Sequence, residues 1–396
     1  MSVELLSPAG DMESFEVAVS YGADAVYAGG PMMQMRSDKV GFSTRDISIL
    51  ASKAHEAGKK LYVTVNSLAK NSEIDMLGGY VSALNDAGAD ALIVSDIGVL
   101  TVIKSVCPDM PVHISTQASC MNYASAMAYY NMGAERVILA REASIDDIAE
   151  IRAKTPRALQ LEAFVHGSMC MAYSGRCLIS SFMTGRSGNR GECAQPCRWN
   201  YYLYEEKTPG EYFEITESEG GSMILSSRDL NCIGILDRLI EAGIESFKIE
   251  GRMKSAYYVA AVTNAYRMAM DDRSMVPVAK EELELINHRP YCTGFYLPEG
   301  EKEVCLGGPA SSGAEFVGRV ISSSDGILTV QQRNLFRQGE VLEILSPGDV
   351  GRSFTAERMT DQDGAEITAA PHPRQIVNIY SSCEAKPGDF LRRRNS

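Results

Sequence analysis

Residues 22–28 read Gly-Ala-Asp-Ala-Val-Tyr-Ala, and variants of this phrase recur along the first two thirds of the chain. They occupy residues 88–94, 133–139 and 243–249, and Gly58 precedes a similar apolar run at 61–65. In each copy the glycine suits the end of a helix, and the β-rich run after it suits a strand. The runs are almost continuously apolar, as parallel strands covered on both faces must be. The repeated phrase therefore predicts helices alternating with parallel strands.

Further strand patterns at 3–6, 112–115 and 160–165 bring the predicted strands before residue 255 to eight. Predicted helices between them include 73–87, 97–106, 122–132, 144–154, 233–242 and 255–270. Eight such units in about 270 residues fit a (β/α)8 barrel. A doubly wound open sheet is the alternative, but no G-x-G-x-x-G fingerprint follows the first strand. We therefore predict an α/β fold of the TIM-barrel type.

The predicted barrel domain, residues 1–275, contains one long insertion at 166–230. Loops of this length in a compact domain are usually functional or disordered. Residues 276–312 are predicted to form a linker with a short helix. Short strands with turns rich in Gly, Asp and Ser then predict a small antiparallel β-barrel at 313–396.

The composition, 45% hydrophobic and 22% charged, is that of an ordinary globular protein. No apolar run approaches the ~18 residues of a membrane span, and residues 1–6 lack the features of a signal peptide. We therefore expect a cytoplasmic protein without a membrane partner. The net charge of −13 argues against general coating of nucleic acid, but a structured RNA could bind a local basic patch. Candidate patches are Arg392–Arg394 and the arginines around the cysteines at 170–199.

Residues 170–199, here named the cysteine segment, hold Cys170, Cys177, Cys193 and Cys197, and Cys232 follows later. Without a signal peptide, ten cysteines are unlikely to form a disulfide framework. Four thiolates suit zinc or an iron–sulfur cluster. The spacing of the first two cysteines is wider than a zinc knuckle, which favours a [4Fe–4S] cluster. Zinc and unliganded or redox cysteines are the alternatives, and spacing alone does not choose the fourth ligand.

Polar residues follow the predicted strands at the end where such barrels carry their catalytic groups. The predicted catalytic residues are His166, Glu250 and Arg252, and the predicted substrate-binding residues are Asn66, Gln117, Arg141 and Lys254. The cations among them could clamp carboxylate or phosphate. Alternatively, the acids and cations pair with one another. His166 is a candidate acid/base, a donor to a cofactor sulfur, or a structural histidine.

Residues 162–181, E-A-F-V-H-G-S-M-C-M-A-Y-S-G-R-C-L-I-S-S, resemble the signature of the collagenase-like peptidase family of unknown catalytic type, family 32 of the U class. The resemblance covers about residues 3–270. It includes L-L-S-P-A-G-D at 5–11, Y-G-A-D-A-V-Y at 21–27, G-R-S-G-N-R-G-E-C-A-Q-P-C-R-W at 185–199 and S-F-K-I-E-G-R-M-K at 246–254.

The resemblance implies one of several activities. Members were first regarded as peptidases, whereas others resemble hydroxylation factors for RNA or quinones that carry a [4Fe–4S] cluster. By position, the cluster ligands would be Cys170, Cys177, Cys193 and Cys232, with Cys197 as the alternative ligand. The added β-domain is most similar to the branch that hydroxylates tRNA uridine at C5 with prephenate as co-substrate.

That branch implies conversion of the tRNA wobble uridine to 5-hydroxyuridine. The end of the predicted barrel at which the strands finish is here named the mouth. At this mouth, Arg141, Arg252 and Lys254 are then candidates for binding the two carboxylates of prephenate. Alternatives are ribosomal RNA or a peptide as substrate, a quinone-pathway hydroxylation factor, and a zinc-stabilised non-catalytic protein. Either a homo- or a hetero-oligomer is compatible with the sequence.

Overall fold

A closed barrel of eight parallel strands forms the first part of the computed structural model, which describes residues 3–35, 41–170, 172–199, 227–298 and 310–395. Its strands are β1 (Glu4–Ala9), β2 (Ala25–Gly29), β3 (Lys60–Val65), β4 (Ala91–Val94), β5 (Val112–Ile114), β6 (Arg136–Ile138), β7 (Gln160–Ser168) and, after the short β8 (Asp229–Asn231), β9 (Ser246–Ile249). Neighbours in sequence pair in parallel, and β9 closes the barrel by pairing with both β7 and β1. The predicted (β/α)8 barrel is confirmed.

Helices alternate with these strands as the sequence predicts. They are α1 (Met12–Ser20), α2 (Thr44–Glu56), α3 (Asn71–Asp86), α4 (Ile97–Val106), α5 (Tyr123–Asn131), α6 (Ile145–Ala153), α7 (Ile179–Thr184), α8 (Leu236–Glu241), α9 (Ala256–Asp271) and α10 (Val276–Glu284). Local chemistry sets several starts, because side-chain oxygens satisfy free amides of the first turn. Ser144 caps α6 in a capping box with Asp147, and the Asp96 carboxylate accepts from Gly98 N at 2.7 Å.

Charged residues fill part of the barrel interior. Glu162 of β7 is fully buried and accepts from Arg136 at 2.9 Å and from Lys248 at 3.1 Å. Arg136 also donates to Glu4 at 2.6 Å. Buried charges persist only when they are paired in this way. These residues therefore hold the strands in register beneath the mouth.

Two additions to the barrel involve the insertion. Strand β8 pairs antiparallel with the end of β7, matching Ser168 with Asp229, and the short β10 (Tyr291–Cys292) pairs with β8. The sequence predicts that His166 follows the strand. Because β7 continues to Ser168, His166 instead lies within the strand. His166 O accepts from Glu250 N at 2.9 Å.

The structure divides into two compact units. The first comprises Met1–Phe15, Ala23–Lys254 and Arg289–Ala310, and the second comprises Glu16–Gly22, Ser255–His288 and Ser311–Ser396. Helices α9 and α10 thus belong to the second unit.

The second unit contains an antiparallel sheet, as predicted. Its strands lie in the order β15 (Arg352–Thr355), β14 (Val341–Leu345), β19 (Phe390–Arg394), β11 (Ala314–Ser324), β12 (Ile327–Gln332), β18 (Ile376–Tyr380) and β16 (Arg358–Asp361). A separate pair joins β13 (Phe336–Arg337) to β17 (Ala369–Ala370). Buried side chains such as Val330, Phe336 and Leu342 form its core.

The terminal arginine run is not a free basic patch. Arg392 is fully buried and donates to Glu282 and Glu343, each at 2.7 Å. Arg393 pairs with Glu315 and Glu340, and Arg394 pairs with Glu343. The three arginines therefore form ion pairs within this unit.

Candidate functional site

The cysteine segment is fastened to both sides of the barrel mouth. On one side Arg190 donates to the carboxylate of Glu73 on α3, at 3.1 and 2.8 Å, and also to Leu68 O. On the other side Glu142, which follows β6, accepts from Ser174 N at 2.9 Å and from its hydroxyl at 3.1 Å. The segment therefore lies across the strand ends where the sequence places the candidate site.

A close backbone contact brings the segment against Gln117. Gly175 has φ +77°, and a Cβ at this position would lie 2.0 Å from the Gln117 carbonyl oxygen. Only glycine suits both the left-handed backbone and the close approach. Beside it, Arg176 Nε donates to Ser119 Oγ at 3.3 Å. Gln117, predicted to bind substrate, thus contacts the segment through its backbone.

Helix α7 organises the second half of the segment. It packs against the short turn Pro196–Arg198 and, farther along, against the turn Gly188–Arg190. Ser180 Oγ of this helix accepts from Ala194 N at 3.0 Å. These contacts fix the stretch that carries Cys193 and Cys197.

The thiol of Cys197 is influenced by the other three thiols of the segment. Burial raises the pKa of Cys197, nearby Arg198 opposes the shift, and negative charge at Cys170, Cys193 and Cys177 raises it further. Cys170 and Cys193 are exposed, whereas the other two are half-buried. All nine cysteines of the described chain are free thiols.

Cys232 has a different setting. It is fully buried just after β8, and its backbone N donates to Val165 O at 2.9 Å. Burial, followed by the charge of Cys232, raises the pKa of the neighbouring Tyr296 phenol. The Tyr296 hydroxyl donates to Phe164 O at 2.7 Å. Cys232 is therefore a buried thiol beside β7, unlike the four thiols of the segment.

The donor chemistry of these thiols fits a thiolate-bound metal centre. Reduced cysteines on a long loop are the usual ligands of iron–sulfur clusters. Within the residues that the structure describes, no three His, Cys, Asp or Glu side chains are already arranged as a metal site.

Arg141 lies at the mouth among partners of three kinds. It donates to Ser168 O at 3.1 Å, pairs with Glu250 at 3.4 Å, and stacks on the Phe164 ring with its guanidinium carbon 4.0 Å from the centroid. The alternative of acid–cation pairing is thus observed for this residue and Glu250. The Arg141 Nε is buried and has no hydrogen-bond partner among the described residues. One donor of this arginine therefore remains for a ligand or water.

Arg252 is buried and donates hydrogen bonds to two neutral side chains. It donates to Gln34 Oε1 at 2.8 Å and to Thr64 Oγ1 at 3.1 Å. Gly29 makes room for this arrangement, since a Cβ there would lie 1.8 Å from Gln34 Oε1. Gln34 was not predicted, because it comes from an irregular stretch that carries no motif.

Asn66 presents a second unsatisfied group. Its Nδ2 donates to Ser115 Oγ at 3.2 Å, while its buried Oδ1 has no hydrogen-bond partner in the described structure. Buried polar atoms are normally satisfied, so such an acceptor marks a place for water or for a ligand that donates a hydrogen bond.

His166 is buried in the wall of the barrel. Its ring lies against Tyr291 of β10, with centroids 5.4 Å apart. The ring therefore packs between the strand end and the added strand pair.

Lys254 belongs to a group of charges beside the thiols. Burial lowers the pKa of Lys254, Asp229 opposes this, and the positive charges of Arg198 and Arg289 lower it further. Arg289 is buried with Asp229, donating to its Oδ1 at 3.1 and 2.5 Å. Sequence reasoning missed this pair because its members lie 60 residues apart in separate loops.

Comparison with known proteins identifies the family. Residues 10–305 match the sequence profile of Peptidase family U32, and residues 312–392 match that of the Peptidase family U32 C-terminal domain. The chain belongs to Peptidase family U32. The resemblance expected from the sequence is therefore confirmed. Among the described residues, no helix is both long and apolar enough to cross a membrane.

Individual relatives of this U32 chain carry names that refer to RNA. The chain is 38% identical to tRNA hydroxylation protein P1 of Bacillus subtilis (strain 168), over 98% of this chain and 94% of that protein. It is 35% identical to tRNA hydroxylation protein P of Escherichia coli (strain K12), over 93% and 91% respectively. A third relative is the 23S rRNA 5-hydroxycytidine C2501 synthase of the same organism, 38% identical over 68% of this chain and 39% of that protein.

Proposed function

We propose that this chain is an RNA-modifying hydroxylase that converts the wobble uridine of tRNA to 5-hydroxyuridine, with prephenate as the oxygen source. The observation that carries the proposal is a segment with four free thiols, tethered by Arg190 and Ser174 across a mouth that contains cations. Near full-length similarity to two proteins named for tRNA hydroxylation supports tRNA as the substrate. Because tRNA is the substrate, the proposed site of action is the cytoplasm.

The proposed cofactor is a [4Fe–4S] cluster. Cys170, Cys177 and Cys193 would supply three thiolates, and Cys232 or Cys197 the fourth. Such a cluster would provide redox-active iron beside the mouth. Cys197 lies on the same segment as the other three cysteines, which favours it as the fourth ligand, whereas family position favours Cys232.

The mouth residues have separate proposed roles. Arg141, Arg252 and Lys254 would bind the carboxylates of the small dicarboxylate, and Asn66 Oδ1 would accept from its hydroxyl. The unsatisfied Arg141 Nε and Asn66 Oδ1 support this assignment. Glu250, which is paired with Arg141, would position that arginine, and the backbone carbonyl of His166, which accepts from Glu250 N, would help to hold Glu250 in place.

Metal analysis of anaerobically purified protein tests the cofactor. About four irons with matching sulfide per chain are expected. Cys177→Ser should lose most of this iron, whereas Cys383→Ser, a control thiol of the second unit, should retain it. Comparison of Cys197→Ser with Cys232→Ser then identifies the fourth ligand. Stoichiometric zinc in place of iron would contradict the proposal.

Nucleoside mass spectrometry of total tRNA tests the activity. A strain that lacks this chain and any paralogue should lose 5-hydroxyuridine and the nucleosides derived from it. Supplying prephenate to a strain that cannot synthesise it should restore the same nucleosides only when the chain is present. Unchanged nucleosides in the deletion strain would refute the function.

Peptide hydrolysis is the second candidate, because the family description names a peptidase. A cysteine peptidase requires a thiolate and a histidine base in contact. His166 is buried against Tyr291, while Cys170 is exposed. Cleavage of gelatin by the pure protein, abolished by Cys170→Ser, would support this candidate, and absence of cleavage would exclude it.

A further inference from the structure

We propose that Tyr173, Phe182 and Trp199 of the cysteine segment form a stacking platform for unpaired RNA bases, with Arg176 and Arg186 contacting the adjoining phosphates. This inference rests on the proposed function for its choice of RNA. It adds the surface that would hold nucleotides flanking the target base, and it assigns residues that the mouth chemistry does not use.

The exposure of these rings is the first observation. Tyr173 is 59% exposed, Phe182 85% and Trp199 44%. The described chain exposes five large aromatic side chains, and three of them lie within this segment. Leu178 and Met183 beside them are also exposed. Five exposed large apolar side chains within 27 residues, two of them carried by parts of the segment that pack together, indicate a binding surface, whereas single exposed residues need no explanation.

The backbone that carries these rings is held in position by the segment's own packing. Phe182 lies on α7, which packs on the turn Pro196–Arg198, and Trp199 N donates to Pro196 O at 3.0 Å. Tyr173 O accepts from Arg176 N at 2.9 Å, next to the Ser174–Glu142 tether. Preorganised rings lose little conformational entropy when a base stacks on them.

Charge selects the occupant. The cysteine segment carries four arginines and one glutamate, a net charge of +3, whereas the whole chain carries −13. Arg190 is already paired with Glu73, but Arg176 and Arg186 are exposed. Aromatic faces combined with basic side chains are the recognition chemistry of single-stranded nucleic acid. An apolar peptide would gain nothing from the arginines.

The location agrees with the chemistry of base modification. An enzyme that modifies a base must take it out of the stack, which leaves the neighbouring bases without a partner. The platform lies on the same segment as the thiols, across the strand ends of the barrel. Flanking bases would stack on its rings while the target base enters the mouth.

The single tryptophan of the chain provides a direct test, because all tryptophan fluorescence comes from Trp199. The full-length anaerobic protein is titrated with a single-stranded RNA of the anticodon-loop sequence, and with the same sequence as a duplex. Single-stranded RNA should quench the emission saturably, and the duplex should quench it weakly. Phe182→Ala should weaken binding about tenfold, and Arg186→Ala should reduce the salt slope by about one.

Met76→Ala is the matched control, since Met76 is 57% exposed but lies on α3 outside the segment. The affinity of the Met76→Ala variant for the single-stranded RNA should equal that of the unmodified protein. Equal affinities of the Met76 and Phe182 variants, or stronger quenching by anionic phospholipid vesicles than by RNA, would overturn the platform.

tRNA hydroxylation is measured in parallel. If the unmodified protein binds the single-stranded RNA but does not hydroxylate tRNA, only the proposed function is refuted. Normal hydroxylation by a Tyr173→Ala/Phe182→Ala variant with unaltered RNA affinity would refute only the platform.

Discussion

Arg190 and Glu73 form a bidentate ion pair that connects the cysteine segment to helix α3. The two nitrogens of the guanidinium lie 3.1 and 2.8 Å from the two carboxylate oxygens. Both side chains are about a fifth exposed, so solvent screens the pair. The contact therefore matters more for the position of the segment than for global stability.

Arg190→Ala is predicted to release the segment locally. The free energy of unfolding should fall by no more than about 1 kcal/mol, because the pair is partly exposed. Hydrogen exchange in residues 172–199 should nevertheless accelerate, as protection there depends on the tether. Lys154→Ala, which breaks the Glu150 pair on α6, is the control and should leave this exchange unchanged. Unchanged exchange in the Arg190 variant would contradict the tether.

The same pair is predicted to depend on pH. The hydrogen bond from Arg190 is the main reason that the pKa of Glu73 lies below its ordinary value of 4.5. A carboxyl whose pKa is lowered by folding stabilises the protein above the unfolded value and loses that contribution as the pH falls through the folded value. The stability difference between the unmodified protein and Glu73→Gln should therefore be constant above pH 4.5 and shrink below it. Urea unfolding of both proteins across this pH range measures the stability difference. A difference that grows as the pH falls would contradict the prediction.

Asp229→Ala is predicted to destabilise the first unit strongly. Burial raises the pKa of Asp229, but Arg289 more than offsets this and the net shift is downward. Removing one partner of a buried pair leaves the other charge uncompensated, at a cost of about 3–5 kcal/mol. An Asp229→Leu/Arg289→Met double variant should recover most of the loss, as measured by urea unfolding. Equal destabilisation of the single and double variants would argue against an ion-pair effect.

Gly175→Ala and Gly185→Ala form a matched pair of substitutions. Both glycines have positive φ, +77° and +70°, so both variants incur backbone strain of roughly 1–2 kcal/mol. At Gly175 a Cβ would collide with Gln117 O, 2.0 Å away, whereas no atom of the described residues lies within 4 Å at Gly185. We expect Gly175→Ala alone to displace the segment and reduce bound iron. Iron content and limited proteolysis compare the two, and equal effects would show that the close approach is unimportant.

The sequence predicts the barrel well because its signals are local. A glycine at a helix end and an apolar run are signals that depend only on nearby residues. The repeat at 22–28 and its variants therefore locate the strands without tertiary information. The strand pair β8 and β10 escaped prediction, since two or three residues give no periodic pattern.

The site was only partly predictable because its contacts join distant residues. Arg141 and Glu250 were identified as strand-end residues, and they meet at 3.4 Å. Gln34 and Arg289 are positioned by irregular loops whose course the sequence does not specify. The arginine run at 392–394 was a candidate basic patch, but strand β19 directs Arg392 toward Glu282 and Glu343 in the interior.

Hydroxylation of tRNA is proposed to depend on the thiols of this chain. Complementation of a strain lacking the chain and its paralogues tests it most directly, with 5-hydroxyuridine-derived nucleosides quantified by mass spectrometry. The unmodified gene and Cys383→Ser should restore them, whereas Cys177→Ser and Cys193→Ser should not, at equal protein levels. Failure of the unmodified gene, or full restoration by the Cys177 and Cys193 variants, would contradict the account.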